Sequence, residues 1–162
     1  MFTVKHPNPA SSFKRTLDEL TPGDTILAAH LAGDFTLPKD KSKKLALLAG
    51  GVGITPFRSM IKYLVDSGER RDVILLYSAN TPDELSFTNL FRQAEPAGIQ
   101  ARFVTEGRLD DAKIAELLPD YRQRTFYLSG PYPFVHGVQA ALLQLGVGQS
   151  QIITDFFPGY GG

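Results

Sequence analysis

From residue 45 onward the chain alternates short apolar runs with amphipathic segments, and this alternation narrows the possible folds more than any other feature. Leu45–Ala49, Val73–Tyr77, Ala101–Val104, Thr125–Leu128 and Gln151–Thr154 read as strands. The first two are apolar on both faces, as expected of a parallel sheet covered by helices on both sides. Between the strands lie helical patterns at Pro56–Val65, Pro82–Ala94, Asp110–Leu118 and Phe134–Leu145. The first of these places Phe57, Met60, Ile61 and Leu64 on one face. The alternation predicts an α/β domain, a doubly wound five-stranded parallel sheet with right-handed crossovers. Pro56 and Pro82 suit first turns, while Gly68 and Gly146 follow last ones.

The first 44 residues differ. Phe2–His6 and Thr25–Leu31 read as strands, and Ser11–Leu20 as a helix capped by Ser11 or Ser12. Thr21-Pro22-Gly23-Asp24 has the chemistry of a turn. So few elements cannot bury a core alone. Lys39, Lys41, Lys43 and Lys44 read as a solvated linker leading into the first apolar strand.

Seventeen basic and seventeen acidic residues cancel, so no global field favours nucleic acid or an anionic membrane. The absence of cysteine excludes disulfides, thiolate metal sites and a cysteine nucleophile. His6, His30 and His136 lack metal-ligand spacing. No apolar run reaches the roughly 20 residues needed to cross a bilayer. The expectation is a cytoplasmic protein, or a membrane-associated one if the chain is fused to spanning segments.

In an open parallel sheet, ligands bind beyond the carboxyl ends of the strands, where strand order reverses. The strand-to-helix turns therefore carry the chemistry. Ala49-Gly50-Gly51-Val52-Gly53-Ile54-Thr55-Pro56 lets backbone approach a pyrophosphate at a helix N-terminus, and Thr55 is placed to cap that helix or to donate to a ligand. It does not complete GxGxxG, because Pro56 stands at the third glycine position. The second turn, Tyr77-Ser78-Ala79-Asn80-Thr81-Pro82-Asp83-Glu84, lies where a dinucleotide site reads the adenosine ribose. The fourth strand ends in Ser129-Gly130-Pro131-Tyr132-Pro133, and the chain closes with Asp155-Phe156-Phe157-Pro158-Gly159-Tyr160-Gly161-Gly162. Phe156 and Phe157 are expected to divide between core and cleft. Arg58 reads as an exposed helix residue before a holder of phosphate, Gly107-Arg108 as a solvated loop before a segment reaching the adenine side, and Asp83 and Glu84 as complements to a helix N-terminus.

Taken together, the chain resembles the ferredoxin–NADP⁺ reductase-like family of flavoprotein pyridine-nucleotide reductases. Gly50-Gly51-Val52-Gly53-Ile54-Thr55-Pro56, Ser129-Gly130-Pro131 and Thr154-Asp155-Phe156-Phe157-Pro158-Gly159-Tyr160 carry the resemblance. Gly33-Asp34-Phe35-Thr36-Leu37-Pro38 is similar to the end of that family's flavin barrel. The resemblance implies a partial antiparallel β-barrel remnant of an FAD-binding domain at 1–40 and an NAD(P)-binding domain at 41–162. It implies hydride transfer from NAD(P)H to FAD and on to an electron acceptor. On it, Gly50, Gly51, Gly53, Thr55 and Pro56 border the dinucleotide, with Thr55 near the nicotinamide. Ser78 and Asn80 lie near the adenosine ribose, while Gly130 and Pro131 flank the nicotinamide cleft. Thr55, Ser129, Asp155 and Tyr160 form the catalytic set, with Tyr160 an aromatic lid, and Ser11 and Ser12 hold the flavin pyrophosphate.

Three departures from the family pattern bear on function. Ser129 stands where the family has cysteine. Asn80 stands where relatives place arginine, which removes a bidentate grip on a 2′-phosphate and favours NADH. The flavin-anchoring Arg-x-Tyr-Ser/Thr motif would precede residue 1, so FAD retention by this chain is in question. The chain then is a fragment of a longer reductase, or is completed by a second chain, or has kept nucleotide binding without flavin. The open edge at Phe2–His6 also invites homodimer pairing. The alternative to a redox enzyme domain is a non-catalytic dinucleotide-binding or electron-transfer module working only within an assembly.

Overall fold

The computed structural model of the chain describes residues 12–27 and 33–157. Two compact units divide between Asp34 and Phe35. Within the first, helix α1 spans Ser12–Asp18, shorter than the expected Ser11–Leu20. The expected turn forms: Asp24 N–H donates to Thr21 O, and the Asp24 carboxylate accepts from the Thr21 N–H and hydroxyl at 2.7 and 2.9 Å. Residues 25–27, expected to begin a strand, are not in one. The remainder of that segment, Phe2–His6, Ser11 and Tyr160 lie outside the described residues.

The second unit is built on strands β1 (Lys44–Gly50), β2 (Val73–Ser78), β3 (Ile99–Val104), β4 (Arg124–Pro131) and β5 (Ile152–Phe157). They form a five-stranded sheet in the order β3-β2-β1-β4-β5. All pairings are parallel. Helices α2 (Ile54–Ser67), α3 (Thr88–Gln93), α4 (Asp111–Leu117) and α5 (Tyr132–Gln144) connect them. Successive strand side chains point to opposite faces, and this sorts the core into two layers. Leu45, Leu47, Leu75 and Tyr77 pack against Phe57, Ile61 and Leu64 of α2 and Phe91 of α3. Ala46, Leu48, Leu76 and Leu128 pack against Ile114 of α4 and Val138 and Leu142 of α5. Because the chain winds from β1 outward to β3 and then returns to lay β4 on the other side of β1, strand order reverses between β1 and β4.

The helix ends follow local chemistry. α2 stops at Gly68, whose left-handed φ of 66° lets its N–H reach the Leu64 and Val65 carbonyls. α4 starts behind Asp110, whose carboxylate accepts from Lys113 N–H at 2.8 Å. One expected helix is broken. Pro82–Ala94 comprises a 3₁₀ turn at Pro82–Glu84, an extended Leu85, and α3 only from Thr88. The buried Tyr77 hydroxyl accepts the Ser86 N–H at 3.2 Å and donates to the Glu84 carbonyl, so a side chain of the preceding strand captures backbone groups that a helix would need. Phe87 then takes a left-handed φ of 62° to start α3.

The lysine-rich segment is not a free linker. Phe35 packs against Phe57 and Tyr127, and the Tyr127 hydroxyl donates to Thr36 O at 2.8 Å. Arg71 holds the Pro38 carbonyl at 2.8 Å, Lys41 pairs with Glu69, and Lys44 reaches Asp120 and Gln123. Lys39, Lys41 and Lys43 are exposed as expected, Lys41 while paired with Glu69, and Lys44 is half-buried. Among the described residues, no helix is long and apolar enough to cross a membrane.

Candidate functional site

The reversal of strand order brings the β1 and β4 turns together. An ideal Cβ on Gly53 would lie 2.1 Å from Ser129 O and 2.5 Å from Gly130 Cα. One on Gly50 would enter the Phe134 ring at 2.6 Å, and one on Gly130 would meet Gly50 O at 3.0 Å. Gly50, Gly53 and Gly130 therefore serve close packing of one turn upon the other. Gly51 is different. It has a left-handed φ of 53°, and a Cβ there would meet nothing within 4 Å, so its backbone faces open space. Gly51–Gly53 form a 3₁₀ turn running directly into α2. The Ile54 N–H is taken by the Gly51 and Val52 carbonyls and Pro56 has none, so what this end offers an anion is the positive end of the helix dipole beside the open backbone of Gly51.

Thr55 does not cap α2: its hydroxyl donates to Val52 O at 3.1 Å, which leaves only lone pairs for a ligand. Pro56, the third residue of α2, is half-buried and faces a shallow groove with Ser59 and Tyr63. Ser129 is fully buried, and its Oγ has no hydrogen-bond partner. It is in register with Ala49 on β1 and Asp155 on β5, so the Ser129 hydroxyl and Asp155 carboxylate share a sheet face on neighbouring strands. Pro131 closes β4 and is the N-cap of α5. Because the Ser129 hydroxyl is already unsatisfied, Ser129→Ala is expected to leave stability unchanged or raise it by up to about 1 kcal/mol in denaturant unfolding. A loss larger than that would reveal a partner for the hydroxyl.

Beside these turns, on the α5 side of the sheet, lies a cleft of about 680 Å³. Ser78 and Asn80 line it, as do Gly107 and Arg108, which lie exposed in a loop as expected. Its other wall is α5, where Phe134, Gly137 and Ala141 leave room for a flat ligand. Phe134 links the two regions, because the same ring that lines the cleft covers Gly50 and Gly130. Sequence reasoning missed it; its place in the first turn after Ser129-Gly130-Pro131 was the available signal. Arg58 is half-buried rather than exposed, with its guanidinium over the Phe87 ring at 5.5 Å.

The structure thus gathers Gly50, Gly51, Gly53, Thr55, Ser129, Gly130, Pro131 and Asp155 at the β1–β4 reversal, with Ser78 and Asn80 in the neighbouring cleft. Ser12, exposed at the first residue of α1, belongs to the other unit. Residues 47–140, more than half of the chain, match the family model of the oxidoreductase NAD-binding domain. The chain belongs to that family. The NADH oxidoreductase HCR of Escherichia coli (strain K12) is 32% identical over 128 residues, covering 77% of this chain and 40% of that protein. The flavohemoprotein of Halalkalibacterium halodurans is 28% identical over 152 residues, which is 83% of this chain and 37% of its own length. This NAD-binding domain thus spans well under half the length of these curated relatives. Among solved structures, the flavohem-like FAD/NAD-binding domain of nitric oxide dioxygenase from Vibrio cholerae superposes with a TM-score of 0.68 at 28% identity, over 78% of this chain and 55% of that one.

Proposed function

We propose that this chain is the dinucleotide-binding part of a flavin-dependent oxidoreductase, taking a hydride from NAD(P)H for delivery through FAD to an electron acceptor. The carrying observation is the meeting of the Gly51 and Ser129–Gly130 turns at the β1–β4 reversal, beside a cleft in the size range of small-molecule sites (about 300–1,000 Å³). In this reading Gly51 and the α2 N-terminus receive the pyrophosphate, the cleft takes the adenosine, and the nicotinamide reaches Thr55, Ser129 and Asp155. The open space above Gly51 and the unpartnered Ser129 hydroxyl fit a ligand there. When bound, the dinucleotide supplies the hydride. The protein orients its rings, excludes water with the buried β4 terminus, and offers hydroxyl and carboxylate groups at Ser129 and Asp155. Asn80, in place of a cation, favours NADH. For FAD, Ser12, exposed at the first residue of α1, is the expected pyrophosphate donor that lies among the described residues.

Calorimetric titration of the purified chain with NADH and NADPH, alongside a visible spectrum, tests this reading. Saturable binding, tighter for NADH, is expected. No binding of either up to millimolar concentration would overturn it. Gly51→Ala, which adds a methyl group on the open face, is expected to weaken NADH binding at least about tenfold at a stability cost of about 1–2 kcal/mol from its left-handed backbone. Wild-type affinity in that variant would remove the pyrophosphate from Gly51.

A further inference from the structure

Phe87 is the one described residue other than glycine with a left-handed backbone, and it stands where α3 begins. That conformation disfavours a bulky L residue by roughly five- to thirtyfold, and it persists only where its surroundings over-determine it. Two contacts hold it. The Phe87 ring packs, with Leu85 and Leu90, against the core layer that includes Phe57 and Ile61 of α2. The Arg58 guanidinium lies over the same ring at 5.5 Å. Among the described residues this is the one partner of the Arg58 charge, and its Nε is buried without a hydrogen bond. We infer that Arg58 is a positioning residue: by holding Phe87 in its left-handed conformation it fixes the loop 79–87, and with it the rim of the cleft at Ala79 and Asn80. What that rim serves rests on the dinucleotide reading above.

The loop is tied at successive points from the rim to Phe87. Asn80 gives its backbone N–H and its side-chain amide to Glu84 Oε2 at 3.1 and 3.3 Å. The Tyr77 hydroxyl donates to the Glu84 carbonyl and accepts the Ser86 N–H at 3.2 Å. Phe87 O then accepts the Phe91 N–H at 3.3 Å, which makes Phe87 the joint between the loop and α3. If Phe87 left the left-handed region, the chain would change direction at this joint and draw Ser86 and Glu84 away from Tyr77. A cation over a half-buried ring favours the held conformation by about two- to thirtyfold, the same order as the handicap of the left-handed backbone. The charge of Arg58 therefore tips the balance. Arg58 does not line the cleft, which lies on the α5 side of the sheet, whereas α2 packs on the other face. Its effect on a ligand there passes through the loop.

Amide hydrogen exchange of the intact chain reads the loop without any nucleotide, and titration with 5′-AMP reads the rim. Arg58→Met keeps an unbranched apolar stem and removes the charge. It is expected to speed exchange of the Ser86 amide about tenfold, to leave the β1 and β2 amides unchanged, and to weaken 5′-AMP binding about fivefold. Arg58→Lys returns a cation to the ring and is expected to recover most of both effects, which lost packing alone would not allow. Phe87→Leu keeps an apolar side chain without the ring; it is expected to match Arg58→Met, and the double variant to be no worse than either. Unchanged Ser86 exchange in Arg58→Met would overturn the inference, as would additive effects in the double variant or faster exchange throughout β1 and β2. Faster Ser86 exchange with undiminished 5′-AMP affinity would overturn the link from Arg58 to the rim. If neither 5′-AMP nor NADH binds the wild-type chain, the dinucleotide reading itself falls, and the service of this loop to a nucleotide falls with it, whatever the exchange rates show.

Discussion

Gly53→Ala is expected to destabilise the NAD-binding domain by more than about 3 kcal/mol and to lower its melting temperature by about 10 °C or more. The cause is a collision with backbone. The added methyl would stand 2.1 Å from Ser129 O, 2.4 Å from Ser129 C and 2.5 Å from Gly130 Cα, none of which can rotate away as a side chain would. Relief requires the β1 turn to lift from the end of β4, where Ala49 and Ser129 are in register at the centre of the sheet. The same movement would displace Gly51 and the N-terminus of α2 from the Ser129–Gly130 turn, so nucleotide binding should be lost along with stability. Gly51→Ala separates the two effects, since its methyl meets nothing within 4 Å and costs only backbone strain. Thermal unfolding and NADH titration of both variants check this. A Gly53→Ala protein that melts with the wild type would show that the turns do not abut as described. Gly50→Ala should lie between the two, because its obstacle, the Phe134 ring, is a side chain that can shift.

What the sequence makes legible depends on how local each determinant is. β1 and β2 are legible because burial on both faces writes itself as an uninterrupted apolar run: Leu45–Ala49 and Val73–Tyr77 are buried without exception. The location of the site is legible too, because glycine-bearing turns after strands point to the carboxyl edge whatever the packing. The roles of the individual glycines are not. Whether a glycine packs or faces a ligand depends on what β4 brings alongside, and that is decided some 80 residues further along the chain. The helix from Pro82 to Ala94 fails for another reason, since its competitor is near in sequence. Neither propensity nor periodicity announces that the Tyr77 hydroxyl, set by its strand, will take Ser86 and Glu84, or that Glu84 will then close on Asn80. The lysine run reads as solvated because its acceptors, Glu69 and Asp120, lie on other loops. Arg108, to all local appearance a loop residue, joins the cleft only because α5 returns to face it.

Arg124→Ala is expected to cost about 3 kcal/mol or more while leaving nucleotide affinity unchanged. Arg124 opens β4, is 4% exposed, and uses its whole guanidinium. Nε and NH2 grip Asp120 at 2.7 and 2.9 Å, and NH1 reaches Asp72 at 2.9 Å and the Leu45 carbonyl at 3.0 Å. Truncation leaves a cavity at the edge of the sheet and strips the Leu45 carbonyl of one partner. The half-exposed Asp72 recovers part of its loss from water, which keeps the cost at the lower end for a broken buried pair. The pH dependence identifies the cause. Hydrogen bonding from Arg124, with Lys44 assisting, holds the Asp120 carboxyl below its ordinary range. The ionised Asp120 therefore contributes stability above the ordinary carboxylate range, and that contribution is lost as pH falls through its depressed folded value. In Arg124→Ala this acid-side loss should shrink to what Lys44 sustains, so the stability deficit of the variant narrows as pH falls below the ordinary carboxylate range. The site stays intact because Arg124 and Pro131 occupy opposite ends of one strand, roughly 23 Å apart at about 3.3 Å per residue. Denaturant unfolding at neutral and acid pH, paired with NADH titration, tests all three parts. A variant as stable as wild type at neutral pH would sink the structural role, and a stability deficit that does not narrow in acid would show that the Asp120 pair is not its source.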